Sequence, residues 1–284
     1  MFVYLLLMTL SVITSGLFTY FFELYTKWYL VLLMILAILG FYVVYFILYM
    51  LFLTVVILFS TGRNKEVKKP KWLHCHLMHS LMFFLIRYSR IKMKVTGLDK
   101  IPDGRVMVIC NHKSNFDPMP LMYYIKPSHM AAVTKPENIK VPIYGKYMHN
   151  MGFIRMPKDN TVESVKAIVK ASNYIKNDIS SVLIFPEGKR NFEDTTLDFH
   201  PGSFKIATKT KCPIVVTSIR NPDKVRFNFP LKRTIVYLDV LDVLYYDDYK
   251  DLNTVDIADK CRTMIVNKLD EYREMEKKRG CEKT

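Results

Sequence analysis

Val106-Met107-Val108-Ile109-Cys110 is a five-residue apolar run that gives way at once to Asn111-His112-Lys113-Ser114-Asn115-Phe116-Asp117-Pro118. A run this short, rich in Val and Ile and bounded by polar residues, reads as a buried strand rather than as a helix, which needs about ten residues or more. The form recurs. Val182-Leu183-Ile184-Phe185 runs into Pro186-Glu187-Gly188-Lys189-Arg190, and Met130–Thr134, Ile214–Ile219 and Thr234–Val240 are further runs of the same kind. Helical stretches lie between them. The clearest is Thr161–Ile175, opened by Asn160 with Glu163 three residues on, in the manner of a capping box. Short strands alternating with helices make an α/β domain, and in such domains side chains at strand ends are where sites form.

Outward from this centre, Val255–Lys278 carries Val255, Ala258, Ile265, Leu269, Tyr272 and Met275 at helical spacing and predicts a closing amphipathic helix. On the other side, Trp72–Arg90 is rich in Leu, Met and Phe and predicts a helix lying on or partly in a membrane surface. Its His74, His76 and His79 do not make a metal site. On a helix the first two point about 160° apart, so no metal is expected.

The front of the chain has a different composition. Residues 2–22 and 28–59 are apolar, and the first sixty residues hold only two charges, Glu23 and Lys27. About 20 apolar helical residues cross a bilayer core of ~30 Å, so both runs are long enough on sequence alone. The expectation is a transmembrane helical hairpin over 1–60, a basic juxtamembrane and interfacial stretch over 61–95, and a catalytic domain over 96–284. A cleaved signal peptide would carry a positive leading segment, whereas the first Lys or Arg here is Lys27. Arg63, Lys65, Lys68, Lys69 and Lys71 against Glu66 place the domain on the cytosolic face of the cell membrane.

The net charge of +15 falls entirely after residue 60 and calls for anionic partners. Next to a bilayer these are anionic membrane lipids first. Nucleic acid is not expected, because the aromatic residues concentrate in the apolar segment instead of interleaving with the basic ones. The five cysteines are scattered and match no zinc or redox spacing, which fits reduced thiols in a cytosolic domain.

Chemistry concentrates in the two strand-end segments. His112 suits a general base, since a neutral imidazole is abundant near pH 7. Asp117, five residues on, can fix its tautomer by holding one ring nitrogen. Asp before Pro118 is equally the start of a helix, with Asp as cap and Pro in the first turn. In the second segment Pro186 and Gly188 force a turn that presents Lys189 and Arg190 beside Glu187, suited to gripping a phosphate while Glu187 accepts from a hydroxyl. A plain solvated turn has the same composition.

Together these segments resemble the glycerophosphate acyltransferase family, which includes the 1-acylglycerol-3-phosphate acyltransferases. Residues 111–117 match its Asn-His-x-x-x-x-Asp signature. Residues 185–190 match its Phe-Pro-Glu-Gly-Thr-Arg block except that Lys189 replaces Thr. Gly152-Phe153-Ile154-Arg155 and Cys212-Pro213-Ile214-Val215-Val216 are similar to its second and fourth blocks. The resemblance implies an α/β domain with a central mixed sheet flanked by helices, and nothing in it extends to the apolar segment in front, whose membrane anchoring is read from residues 1–60 alone. It implies His112 and Asp117 as the catalytic pair, and Lys135, Arg155, Glu187, Gly188 and Arg190 as acceptor-site residues. The implied reaction passes a fatty acyl group from acyl-CoA or acyl carrier protein to the sn-2 hydroxyl of lysophosphatidic acid, giving phosphatidic acid, without a cofactor. Rival readings keep the enzyme and change the acceptor, or make the chain a noncatalytic tether for anionic lipid. The chain lacks a Gly-x-Ser-x-Gly elbow, so no covalent acyl-enzyme is indicated.

Overall fold

The computed structural model describes residues 2–22, 30–59, 70, 72–125, 129–142, 144–157, 160–193 and 195–281. The chain divides into two compact units, Met1–Lys65 and Glu66–Thr284. The first consists of α1 (Phe2–Phe21) and α2 (Val31–Phe59). Ser15 donates to the Met34 carbonyl at 3.3 Å, and Phe18 meets Phe41 edge-on at 6.1 Å, so the helices touch. Within α2, Leu32–Val56 is long and apolar enough to cross a membrane. The apolar stretch of α1, Leu5–Phe21, falls short of the ~20 residues a crossing needs. Among the described residues one helix, not the expected two, therefore meets the requirement. The linker around Glu23–Lys27 and the basic cluster at 63, 65, 68, 69 and 71 lie outside the described residues.

The second unit begins with α3 (Trp72–Tyr88) and continues through β1 (Ile91–Thr96), β2 (Met107–Cys110), α4 (Pro118–Tyr124), β3 (Met130–Thr134), α5 (Pro136–Lys140) and α6 (Tyr144–Asn150). It then forms β4 (Ile154–Arg155), α7 (Thr161–Lys176), β5 (Ser181–Ile184), α8 (Lys205–Thr210), β6 (Ile214–Arg220), α9 (Val225–Asn228), β7 (Thr234–Leu244) and α10 (Thr254–Cys281). The seven strands form one sheet in the order β1-β7-β6-β2-β5-β3-β4. Strands β6, β2, β5, β3 and β4 are mutually parallel, β7 runs against β6, and β1 follows β7, so the sheet is mixed.

Every residue of β2, β5 and β6 is buried, as befits central strands covered on both faces. β1 alternates half-buried and exposed positions, with Lys92 and Lys94 facing out, as suits an edge strand kept from further pairing. The sheet begins at Ile91, five residues ahead of the domain boundary expected at residue 96. On one face, Met107, Ile109, Val182, Ile184, Ile214 and Val216 pack against α7, α8 and α10 through Ile168, Ile206 and Ile265, together with Phe204 in the turn just ahead of α8. In α10, Ala258, Ile265 and Leu269 are buried as expected, whereas Val255 and Met275 are exposed. The Asn160 side chain caps α7 by accepting from the Glu163 amide at 3.0 Å, but the Glu163 carboxylate takes Lys166 instead of closing the box.

Helix α3 is more than a surface element. It buries His74, Leu77, Met78, Met82, Phe84 and Ile86 against the domain, while His76 stacks on Trp72 and His79 on Tyr123. Its Ile86 joins Ile91, Phe116, Met119 and Val236 around a small apolar cavity. Four cysteines, Cys75, Cys110, Cys212 and Cys261, are free thiols.

Candidate active site

Parallel strands carry the residues that follow them to one edge of a sheet, which determines what can meet there. His112 leaves β2, the Glu187–Arg190 turn leaves β5, Lys135 leaves β3, and Arg155 ends β4, all in one direction. At about 4.8 Å between neighbouring strands, Lys135 starts roughly 10 Å and Arg155 roughly 14 Å from the His112 backbone. Both are exposed, as are Lys189 and Arg190. The edge thus presents a histidine at one end and a row of cations beside it.

Asp117 lies inside this edge with no exposure. Its Oδ2 accepts from the amides of Lys113 at 2.6 Å and Ser114 at 2.8 Å, and lies 2.7 Å from His112 Nδ1. Although Asp117 precedes Pro118 at the start of α4, its side chain makes no capping bond to that helix. Of the two readings open in the sequence, the geometry favours the one in which the carboxylate serves the histidine. With Asp117 ionised, Nδ1 carries the imidazole hydrogen and Nε2 is left as the proton acceptor. The histidine side chain is one-fifth exposed, and it stacks on Phe185 at 4.2 Å. Burial raises the Asp117 pKa, opposed by its hydrogen bonds to His112 and to the two amides.

The backbone of His112 is held from both sides by the turn after β5. Its N–H donates to Glu187 Oε1 at 2.8 Å, and its carbonyl accepts from the Asn191 amide at 2.7 Å. Glu187 Oε2 accepts from the Leu197 amide at 3.1 Å, so both oxygens of this buried carboxylate are committed to backbone. Glu187 is thus placed to position His112, not at the loop tip that its sequence suggested. Burial raises its pKa as well. Gly188 sits at φ +64°, in the left-handed region, and a Cβ there would lie 3.0 Å from the His200 ring. The neighbouring Cys110 is fully buried with its thiol pKa pushed well up, which makes it an inert core residue.

Asn111 has a role that sequence reasoning did not assign. It is buried, and its side chain continues the strand ladder, donating to the Ile219 carbonyl at 2.9 Å and accepting from the Ile219 amide at 2.8 Å. Its place directly before His112 was the available signal. Asn111→Ala should strand both Ile219 groups in the core and cost about 2 to 4 kcal/mol. A thermal melt of the detergent-solubilised chain should show this as a loss of several degrees, and an unchanged midpoint would refute the ladder role.

A protein-family model described as Acyltransferase matches residues 92–220. The chain is 29% identical over 204 residues to a 1-acyl-sn-glycerol-3-phosphate acyltransferase of Borreliella burgdorferi, covering 68% of this chain and 78% of that protein. It is 26% identical over 172 residues to the protein of the same name from Haemophilus influenzae, covering 60% and 71%. Its fold is similar to the crystal structure of the 1-acyl-sn-glycerophosphate acyltransferase of Thermotoga maritima, with a TM-score of 0.62 at 19% identity over 80% of this chain and 89% of that one. The matched span contains His112, Asp117, Lys135, Arg155 and the Glu187 turn, so the candidate site lies within the part of the chain that is similar to the acyltransferase family.

Proposed function

We propose that the chain transfers a fatty acyl group from acyl-CoA or acyl carrier protein to the sn-2 hydroxyl of lysophosphatidic acid, giving phosphatidic acid for phospholipid synthesis. The observation that carries this reading is the 2.7 Å His112–Asp117 bond at a sheet edge lined with cations, in a chain whose relatives are named for that reaction. His112 Nε2 takes the proton of the acceptor hydroxyl as its oxygen bonds to the thioester carbonyl. The tetrahedral intermediate then expels the thiol, which recovers the proton from the imidazolium. The amides of His112, Lys113 and Ser114 already serve Glu187 and Asp117, so the oxyanion is stabilised by other donors.

Lys135, Arg155 and Arg190 hold the acceptor phosphate, with Gly188 shaping the turn. Lys189 adds a cation beside Arg190 that strengthens the hold on phosphate or reaches a second anion, and the second reading of the acceptor is glycerol 3-phosphate or another lysophospholipid. Residues 1–60 form the membrane hairpin, residues 61–95 the basic and interfacial stretch, and the catalytic domain works on the cytosolic face.

The test is thiol release from a long-chain acyl-CoA by the detergent-purified chain. Release should require lysophosphatidic acid and match the phosphatidic acid formed, whereas equal release without acceptor would mean a thioesterase. In the same assay Arg155→Ala should raise the KM for lysophosphatidic acid about 10- to 100-fold, the worth of a charge-assisted bond to phosphate, and leave kcat nearly unchanged. A fall in kcat at constant KM would remove Arg155 from the phosphate site.

A further inference from the structure

The second unit exposes a basic, aromatic ridge that the proposed reaction does not use. From Lys224 to Arg233 the sequence is Lys-Val-Arg-Phe-Asn-Phe-Pro-Leu-Lys-Arg, with four cations and no acid. Its large apolar side chains point outward: Phe227 is 72%, Phe229 51% and Leu231 83% exposed, and Phe192 beside them is 55% exposed. Soluble surfaces seldom leave such side chains bare together unless something covers them.

The ridge is built, not frayed. Val225 and Pro222 are buried beneath it, the Phe229 amide donates to the Val225 carbonyl at 2.9 Å, and the Lys232 amide donates to the Asn228 carbonyl at 2.6 Å. Asn228 fastens it to Thr234 at 3.0 Å, and the Arg90 guanidinium donates to the Pro230 carbonyl at 3.3 Å. That last bond joins it to the end of α3, where Tyr88 and Leu85 are also exposed. The arginines lie on rings: Arg226 is 4.3 Å from the Phe227 centroid and 5.3 Å from that of Phe192, on which Arg190 also rests at 5.9 Å. No carboxylate pairs with Lys224, Arg226, Lys232 or Arg233 among the described residues.

We infer that this ridge is a membrane-contact surface of the second unit, separate from α1 and α2. Phe192, Phe227, Phe229 and Leu231 enter the acyl boundary of a bilayer whose anionic headgroups meet the four cations. Phe and Leu gain by immersion in hydrocarbon, and unpaired Lys and Arg gain about 1 kcal/mol each beside an anionic leaflet. Neither gain is offered as fully by the wet surface of an acidic protein. Because Phe192 bears Arg190 of the turn after β5, contact would bring the sheet edge to the lipid surface.

The full chain carrying Phe227→Trp is reconstituted into phosphatidylcholine–phosphatidylglycerol vesicles containing lipid brominated near the headgroup end of its chains. The emission of Trp28 and Trp72 is subtracted using the unsubstituted chain. The added tryptophan should emit at short wavelength and lose most of its intensity to bromine. Val162→Trp, exposed on α7 across the sheet, should be unaffected. Vesicles of phosphatidylcholine alone should quench Phe227→Trp distinctly less. Failure of the chain to float with vesicles would overturn both this inference and the membrane anchor. A floating chain with unquenched Phe227→Trp would overturn the inference alone, and equal quenching in neutral vesicles would overturn its anionic partner.

Discussion

His112→Ala should lower acceptor-dependent thiol release by between about 10² and 10⁴, the range a positioned general base contributes. The loss should appear in kcat at saturating lysophosphatidic acid, because no contact of the ring is available to a phosphate several ångströms away along the edge. Stability should change little. The ring is one-fifth exposed and its main packing partner is Phe185, so the cost is about 1 kcal/mol. The clamp on the residue-112 backbone, through Glu187 and Asn191, survives the substitution. Initial rates with and without acceptor, alongside a thermal melt, separate the two effects. Residual activity above a tenth of wild type in a folded variant would remove His112 as the base.

Asp117→Asn should be nearly as damaging to activity, by about 10² to 10³, for a different reason. An asparagine oxygen in the place of Oδ2 can still accept from Lys113, Ser114 and Nδ1, so the loop keeps its shape. It carries no charge, however, and the imidazolium formed as His112 takes its proton loses its counter-ion. The amide nitrogen would occupy the place of Oδ1, a buried oxygen with no partner among the described residues, at a cost of about 1 to 3 kcal/mol. The midpoint should therefore fall by a few degrees while kcat falls far more. If Asp117 mattered only as the cap of α4, Asn would replace it with little loss. Activity within threefold of wild type would accordingly favour the cap.

The sequence disclosed the central strands because burial on both faces leaves an uninterrupted apolar run. Met130–Thr134 agrees to the residue, and β2, β5 and β6 agree within one. β1 was hidden because Lys92 and Lys94 alternate with apolar residues and continue the basic flank before it. β4 has only two residues and carries no period at all. The His112–Asp117 pair was legible because it closes over five residues. The clamp by Glu187 was not, because it spans 75 residues, and nothing in local pattern says which turn lies over which strand end. Glu187 looked like a surface acceptor beside two cations. Only the pairing of β2 with β5 shows that its carboxylate faces inward to two amides.

The ladder made by Asn111 also sets a clock. Its partner Ile219 lies 108 residues further along the chain, and a ribosome adding about 5 to 20 residues per second needs roughly 5 to 20 s to supply it. Until then the histidine loop has been synthesised but lacks the strand against which it is braced. A nascent chain can thus meet the membrane through its first segment well before it can consume thioester, and synthesis stalled ahead of Ile219 leaves a chain without a braced catalytic loop.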